Sequence, residues 1–192
     1  MLFILGSSIG FFLFIIYDIN SIKWQSKFVN HFFYIGCFLI ITNTLGAIYR
    51  FSDAIEMNMI SQVVWISIIL SFLILLIFTL FFALPFDSTY VKNDIGRKTY
   101  TKGMYALCRH PGVIWFAGLY FSLFFWMGNP NILYLAIVLN LMNFVYIVFQ
   151  DLWTFPQTFI DYEQYKETTP FIIPNCTSIH RMITTIKSQA GE

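Results

Sequence analysis

The sequence predicts an all-α membrane protein with about five transmembrane helices, a C-terminal helical hairpin and a short interfacial helix. Three observations lead there. Hydrophobic residues make up 58% of the 192 and charged residues only 11%, whereas a soluble domain carries roughly 25% charged residues and covers its surface with them. Long uncharged runs recur at the length needed to cross a bilayer, about 20 residues. Lys and Arg collect on one side when those runs are threaded through a membrane.

The first run, Met1 to Tyr17, ends at Asp18. No basic residues precede it and no small-residue cleavage site follows, so residues 2–19 are predicted as a retained span rather than a secretory signal. The second run lies between Lys27 and Arg50 and predicts a span over 32–49. It holds Gly36, Gly46, Thr42, Asn43 and Thr44, and small and hydroxyl residues inside a span mark a helix–helix contact face. The third, Met57 to Phe86, predicts 58–84, closed by Pro85.

No charge occurs between His110 and Asp151. Gly128-Asn129-Pro130-Asn131 is a turn signal that divides this stretch into spans over 113–127 and 132–149, a tight antiparallel hairpin. After Asp151 the pattern becomes amphipathic. Thr154 offers an N-cap and Pro156 suits a first turn. Phe155, Phe159, Tyr162 and Tyr165 recur at helical spacing, which predicts an interfacial helix over 155–168 with its aromatic face against lipid or the bundle. Pro170 ends it, and 175–192 reads as a polar tail, mobile at its end. The whole, 1–192, reads as a single membrane domain.

Five spans put Lys23, Lys27, Lys92, Arg97, Lys98, Lys102, Arg109, Lys166, Arg181 and Lys187 on one side and only Arg50 on the other. This asymmetry predicts the N-terminus outside and the C-terminus in the cytoplasm, at the plasma membrane if the source is prokaryotic. Cys37, Cys108 and Cys176 are odd in number and widely spaced, which suggests no disulfide framework. His31, His110 and His180 show no ligand spacing, so no metal is expected. Nothing indicates a nucleic-acid partner; the bilayer is the expected one.

Two places could carry chemistry. Gly103 to Pro111 sits at a membrane entrance and contains the pair Arg109-His110. Arg supplies a permanently charged planar fork and His a tunable donor, a combination suited to an anionic group. On local features alone a positive-inside anchor on lipid headgroups is the stronger reading of Arg109. The second place is Gln150-Asp151, an acid flush with a long apolar helix, costly unless paired or solvated. A tight hairpin would bring Arg109, His110 and Asp151 to the same end, where they form either a site or a structural ion pair.

These segments, in this order, resemble the isoprenylcysteine carboxyl methyltransferases and their relatives among the phospholipid methyltransferases. The family pattern is Gly-x-Tyr-x-x-x-Arg-His-Pro, a helical hairpin, an acidic residue, a Tyr-x-x-Tyr helix and a proline-punctuated tail. The chain carries Gly103, Tyr105, Arg109, His110 and Pro111, then Asp151 where the family usually has Glu, then Tyr162, Tyr165, Pro170, Phe171-Ile172-Ile173 and Pro174. The resemblance covers about Lys102 to Pro174. It implies S-adenosylmethionine as cofactor and a lipophilic acceptor arriving from the bilayer. It further implies Arg109, His110 and Asp151 as catalytic residues and Tyr105, Arg109, His110, Asp151, Tyr162 and Tyr165 as a cofactor-binding set. The chain departs from the family at Gly112-Val113-Ile114-Trp115, where x-Tyr-x-Gly is usual, and at Phe159, where Gly is common. These departures point away from a prenylated protein as substrate. Two other implications stay open: an NADPH-dependent relative of the sterol reductases, whose Arg-His-Pro motif continues differently, and a non-catalytic member of the fold.

Overall fold

The computed structural model describes residues 2–52, 57–83 and 97–190, and all regular structure among them is helical. Helix α1 spans Leu2–Ile19 and continues into a π-helical turn, Asn20–Trp24. Helix α2 spans His31–Phe51, and α3 spans Met59–Ile77 before a second π-turn at Phe78–Phe82. A single turn, α4 (Met104–Leu107), precedes α5 (Pro111–Met127) and α6 (Pro130–Phe149). A third π-turn, Gln150–Thr154, leads into α7 (Phe155–Thr158), followed by α8 (Tyr162–Thr168) and α9 (Cys176–Ala190). Four helical rods, Leu2–Trp24, His31–Phe51, Met59–Phe82 and Pro130–Thr158, are long and apolar enough to cross a membrane, and α5 is a shorter apolar helix. By length and composition this is a multi-pass membrane protein whose outward apolar side chains meet lipid. Pro85, Lys92 and the predicted end of the third span at 84 lie outside the described residues.

The chain separates into two compact units, Met1–Ser71 with Ala117–Thr154, and Phe72–Phe116 with Phe155–Glu192. In the first, α1 packs chiefly against α2 and α6. The α1–α2 contact runs along small residues. A Cβ on Gly10 would sit 2.9 Å from the Gly36 carbonyl oxygen, and one on Gly36 would sit 2.8 Å from that of Gly10. Two backbones this close need glycine on both sides, which is the small-xxx-small contact of membrane helices. Gly6 extends the seam over Asn43 and Gly46 extends it over Phe3. The polar trio on α2 satisfies itself within the helix: Thr42 donates to the Phe38 carbonyl, Asn43 to Leu39 and Thr44 to Ile40. Thr44 alone also reaches across, meeting the Tyr120 hydroxyl of α5 at 2.6 Å. The sequence reading marks Gly36, Asn43, Thr44 and Gly46 correctly as contact residues, whereas Thr42 is exposed. It overlooks Gly6-x-x-x-Gly10, the matching stripe on α1.

Both proline-led helices start earlier than the hydropathy suggests, α5 at Pro111 and α6 at Pro130. Proline suits a first turn because the N–H it lacks would have no intrahelical acceptor there. Gly128 takes φ 62°, and Asn129 caps α6 by accepting from the Asn131 N–H at 2.9 Å.

The predicted helix over 155–168 is two helices. Thr154 is not a cap: it closes the π-turn within one continuous helical run from Pro130 to Thr158. Pro156 brings no N–H to the ladder, and five residues of wider π geometry precede it. The break at Phe159–Asp161 has a local cause. Ile160 N–H donates to the Arg97 carbonyl at 2.9 Å, and Asp161 Oδ1 accepts from Thr99 N–H at 2.7 Å and Thr99 Oγ1 at 2.9 Å. Those bonds pull the chain off the helical path, and α8 restarts after Asp161. Residues read as a polar tail also form structure: α9 is a regular helix packed on α4 within the second unit.

Candidate functional site

The second unit assembles most of the motif. Gly103 takes φ 57° and ψ −129°, a conformation that side-chain-bearing residues seldom adopt. The chain reverses there into α4, and the Gly103 N–H donates to Thr185 Oγ1 of α9 at 3.0 Å.

Tyr105 is held at both ends. Its hydroxyl donates to the Thr79 carbonyl at 3.1 Å, and its own carbonyl accepts from the Tyr165 hydroxyl at 2.6 Å. The π-turn makes the first bond possible. In an α-helix the Ala83 N–H would bond the Thr79 carbonyl; here it bonds Phe78 at 2.8 Å, which releases Thr79 for Tyr105. Buried Thr79 also uses its hydroxyl, accepting from Trp115 Nε1 at 3.0 Å. Trp115, which stands where the resemblance leads one to expect glycine, is thus a side chain anchored on Thr79. π-turns of this kind recur at functional sites because they free backbone groups inside an otherwise closed ladder.

Beyond α4 the chain extends through Cys108 (φ −160°, ψ 167°). Arg109 N–H then donates to the Pro170 carbonyl at 2.9 Å and His110 N–H to the Phe171 carbonyl at 3.2 Å. The His110 ring stacks on Phe155, with centroids 5.7 Å apart and planes 11° apart, and meets Phe171 edge-on at 5.2 Å. The Arg109 guanidinium lies 5.3 Å from the centre of the Phe171 ring. Tyr162 packs edge-on against Phe155, and Tyr162 and Tyr165 are 2% and 5% exposed. Their aromatic face therefore turns to the protein, not to lipid. Cys108 is fully buried in the same loop, and loss of water pushes its thiol up to about 11.

Five of the six predicted residues, Tyr105, Arg109, His110, Tyr162 and Tyr165, belong to this unit; Asp151 belongs to the other. Asp151 is buried in the π-turn that follows α6. Beside it in sequence, Gln150 Nε2 donates to Asp18 Oδ2 at 3.0 Å and to the Tyr146 hydroxyl at 2.8 Å, while Thr154 Oγ1 lies 3.5 Å from Asp18 Oδ2. Asp18, itself only 5% exposed, is the polar residue that the sequence reading misses. It was treated as the end of an apolar run, yet it poses the same question as Asp151, an acid at the end of a span that needs donors. The donors are the neighbours of Asp151. Among the described residues, no group of three or more His, Cys, Asp or Glu side chains is placed to hold a metal ion.

The resemblance rests on the motif and its local geometry alone, since no family model, curated protein or solved structure significantly matches the chain.

Proposed function

We propose that the protein is an integral membrane methyltransferase that uses S-adenosylmethionine to methylate a lipophilic acceptor at the cytoplasmic face. One observation supports this above the others. Two motif segments about sixty residues apart in the chain, around Tyr105–His110 and Phe155–Phe171, are laced together by the Tyr165–Tyr105, Arg109–Pro170 and His110–Phe171 hydrogen bonds. These two elements of the resemblance meet in space as well as in order; Asp151 belongs to the other unit.

The donor set fits the cofactor. When bound, S-adenosylmethionine supplies an electrophilic methyl group on a sulfonium cation, beside a carboxylate, an amino group and ribose hydroxyls. The Arg109 guanidinium is a planar fork for the carboxylate. Aromatic faces favour a cation, and those of Phe155, Phe171 and Tyr162 already meet His110, Arg109 and Lys166, so a sulfonium would take the place of one of these groups. His110 has its ring held between Phe155 and Phe171. The protein's contribution is alignment and exclusion of water, and burial around Tyr162, Tyr165 and His110 serves both. Asp151 enters this reading from the resemblance alone.

The same reading counts α5 as a fifth span. Its 17 residues extend about 25 Å at 1.5 Å per residue, the short end of what crosses a bilayer. It treats α5 and α6 as a hairpin, with the N-terminus outside and the C-terminus in the cytoplasm.

Calorimetric titration with S-adenosylmethionine tests the proposal. A charge-assisted hydrogen bond is worth about 1.5–3 kcal/mol, so folded Arg109→Ala should bind roughly ten- to a hundredfold more weakly than wild type. Arg109→Lys keeps the charge without the fork and should fall between. Equal affinity in wild type and Arg109→Ala would remove the pocket. Binding of NADPH in place of S-adenosylmethionine would replace methyl transfer with reduction.

A further inference from the structure

We propose that α9 is an interfacial helix that docks on the anionic phospholipid surface of the bilayer holding the protein. This inference is independent of the cofactor.

Helix α9 has four distinct faces. Ser178, Arg181, Met182 and Thr185 recur at i, i+3, i+4 and i+7, and this face is turned inward. Thr185 accepts from Gly103, and Arg181 Nη1 donates to Thr169 Oγ1 at 3.4 Å. About 100° around the helix, Ile179, Ile183 and Ile186 form a second stripe, 42%, 43% and 43% exposed. His180 and Lys187 form the edge beyond that stripe, and Thr184 and Ser188 complete the circle. From Cys176 to Ala190 the sequence carries Arg181 and Lys187 and no acidic residue.

An apolar stripe with a basic border and no acids is the pattern of a helix lying in a headgroup layer. Position supports the same occupant. Helix α9 packs on α4, and α4 ends at Leu107, only three residues before α5 begins at Pro111. The helix is therefore level with the start of α5, whose residues 111–116 belong to its own unit. The basic edge selects anionic headgroups, and the isoleucines reach the acyl boundary. A second copy of the chain would bring its own Lys187 against this one, like charge on like.

Cys176 is an exposed native handle, seven residues before Ile183 on the same face. The full-length protein with Cys37→Ala, labelled at Cys176 with an environment-sensitive NBD probe, should be placed in phosphatidylcholine nanodiscs with and without phosphatidylglycerol. Docking predicts blue-shifted emission and quenching by lipids spin-labelled near the headgroup. Both should be stronger with phosphatidylglycerol, and high salt should cancel that increment. The triple variant Ile179→Ser, Ile183→Ser, Ile186→Ser should return the probe to water-like emission, and Lys187→Glu should abolish the dependence on phosphatidylglycerol while the fold is kept. Water-like emission of the wild type in both lipids would overturn the proposal. So would quenching unchanged in the triple variant, or Cys176–Cys176 cross-linking between two copies in place of lipid quenching.

Discussion

Removing one oxygen atom should loosen the motif loop. Tyr165→Phe deletes the hydroxyl that donates to the Tyr105 carbonyl at 2.6 Å and leaves the ring, only 5% exposed, packed on Tyr162. The loss of a partner for a buried acceptor costs about 1–3 kcal/mol. The loop that depends on this bond contains Cys108, which is fully buried, so its thiol reports on opening. Loosening by that free energy raises the open population roughly five- to a hundredfold. Alkylation of Cys108 at mildly alkaline pH, followed by mass spectrometry of its peptide, should accelerate by the same factor. In the closed fold the thiol, pushed up to about 11, is scarcely ionised at such a pH, and the thiolate is the reactive form. Exposed Cys176 is the internal standard and should label at the same rate in both proteins. Tyr134→Phe, which alters a 58% exposed tyrosine of α6, should change nothing. An unaltered rate at Cys108 in folded Tyr165→Phe would show that the Tyr165–Tyr105 bond does not hold the loop shut.

Two further outcomes follow from the geometry. Gly36→Ala would place a Cβ 2.6 Å from a ring carbon of Phe14 and 2.8 Å from the Gly10 carbonyl oxygen. Overpacking of this kind costs about 1–3 kcal/mol, seen as a lower midpoint of denaturant unfolding in detergent micelles; an unchanged midpoint would mean that the helices do not cross so closely. The Cys108 thiol, raised from 9.0 to about 11, makes stability pH-dependent. Below 9 the thiol is neutral folded and unfolded; as pH rises from 9 to 11 only the unfolded chain ionises, so stability falls across that window. Cys108→Ala should be flatter there than wild type by equilibrium unfolding, and parallel curves would refute the burial.

The long elements were legible because bilayer thickness and charge exclusion act on composition itself. The predicted 2–19 and 132–149 lie close to α1, Leu2–Ile19, and α6, Pro130–Phe149, since any run of Phe, Ile and Leu between charges gives the same answer. What was not legible depends on partners distant in sequence. The aromatic periodicity of Phe155 to Tyr165 is compatible with one helix, and only the bonds from Ile160 and Asp161 to Arg97 and Thr99 break it. Helix α9 was hidden because its apolar residues are few; four of them on adjacent faces suffice once α4 covers one side. None of the three π-turns among the described residues has a sequence signature, yet each holds a buried polar residue: Asn20 in the first, Thr79 in the second, Asp151 and Thr154 in the third.

Those turns bear on why the motif works as a unit. A straight α-helix in lipid spends every backbone carbonyl on itself, so it has nothing to offer a neighbouring loop. Shifting one turn from i+4 to i+5 releases a carbonyl without exposing it to hydrocarbon, provided that a donor stands ready. Thr79 shows the arrangement complete: its carbonyl meets the Tyr105 hydroxyl and its side chain meets the Trp115 indole. The tyrosine belongs to the family pattern and the tryptophan departs from it, but both are anchored on the same residue. Trp115 therefore leaves the Tyr105 loop supported.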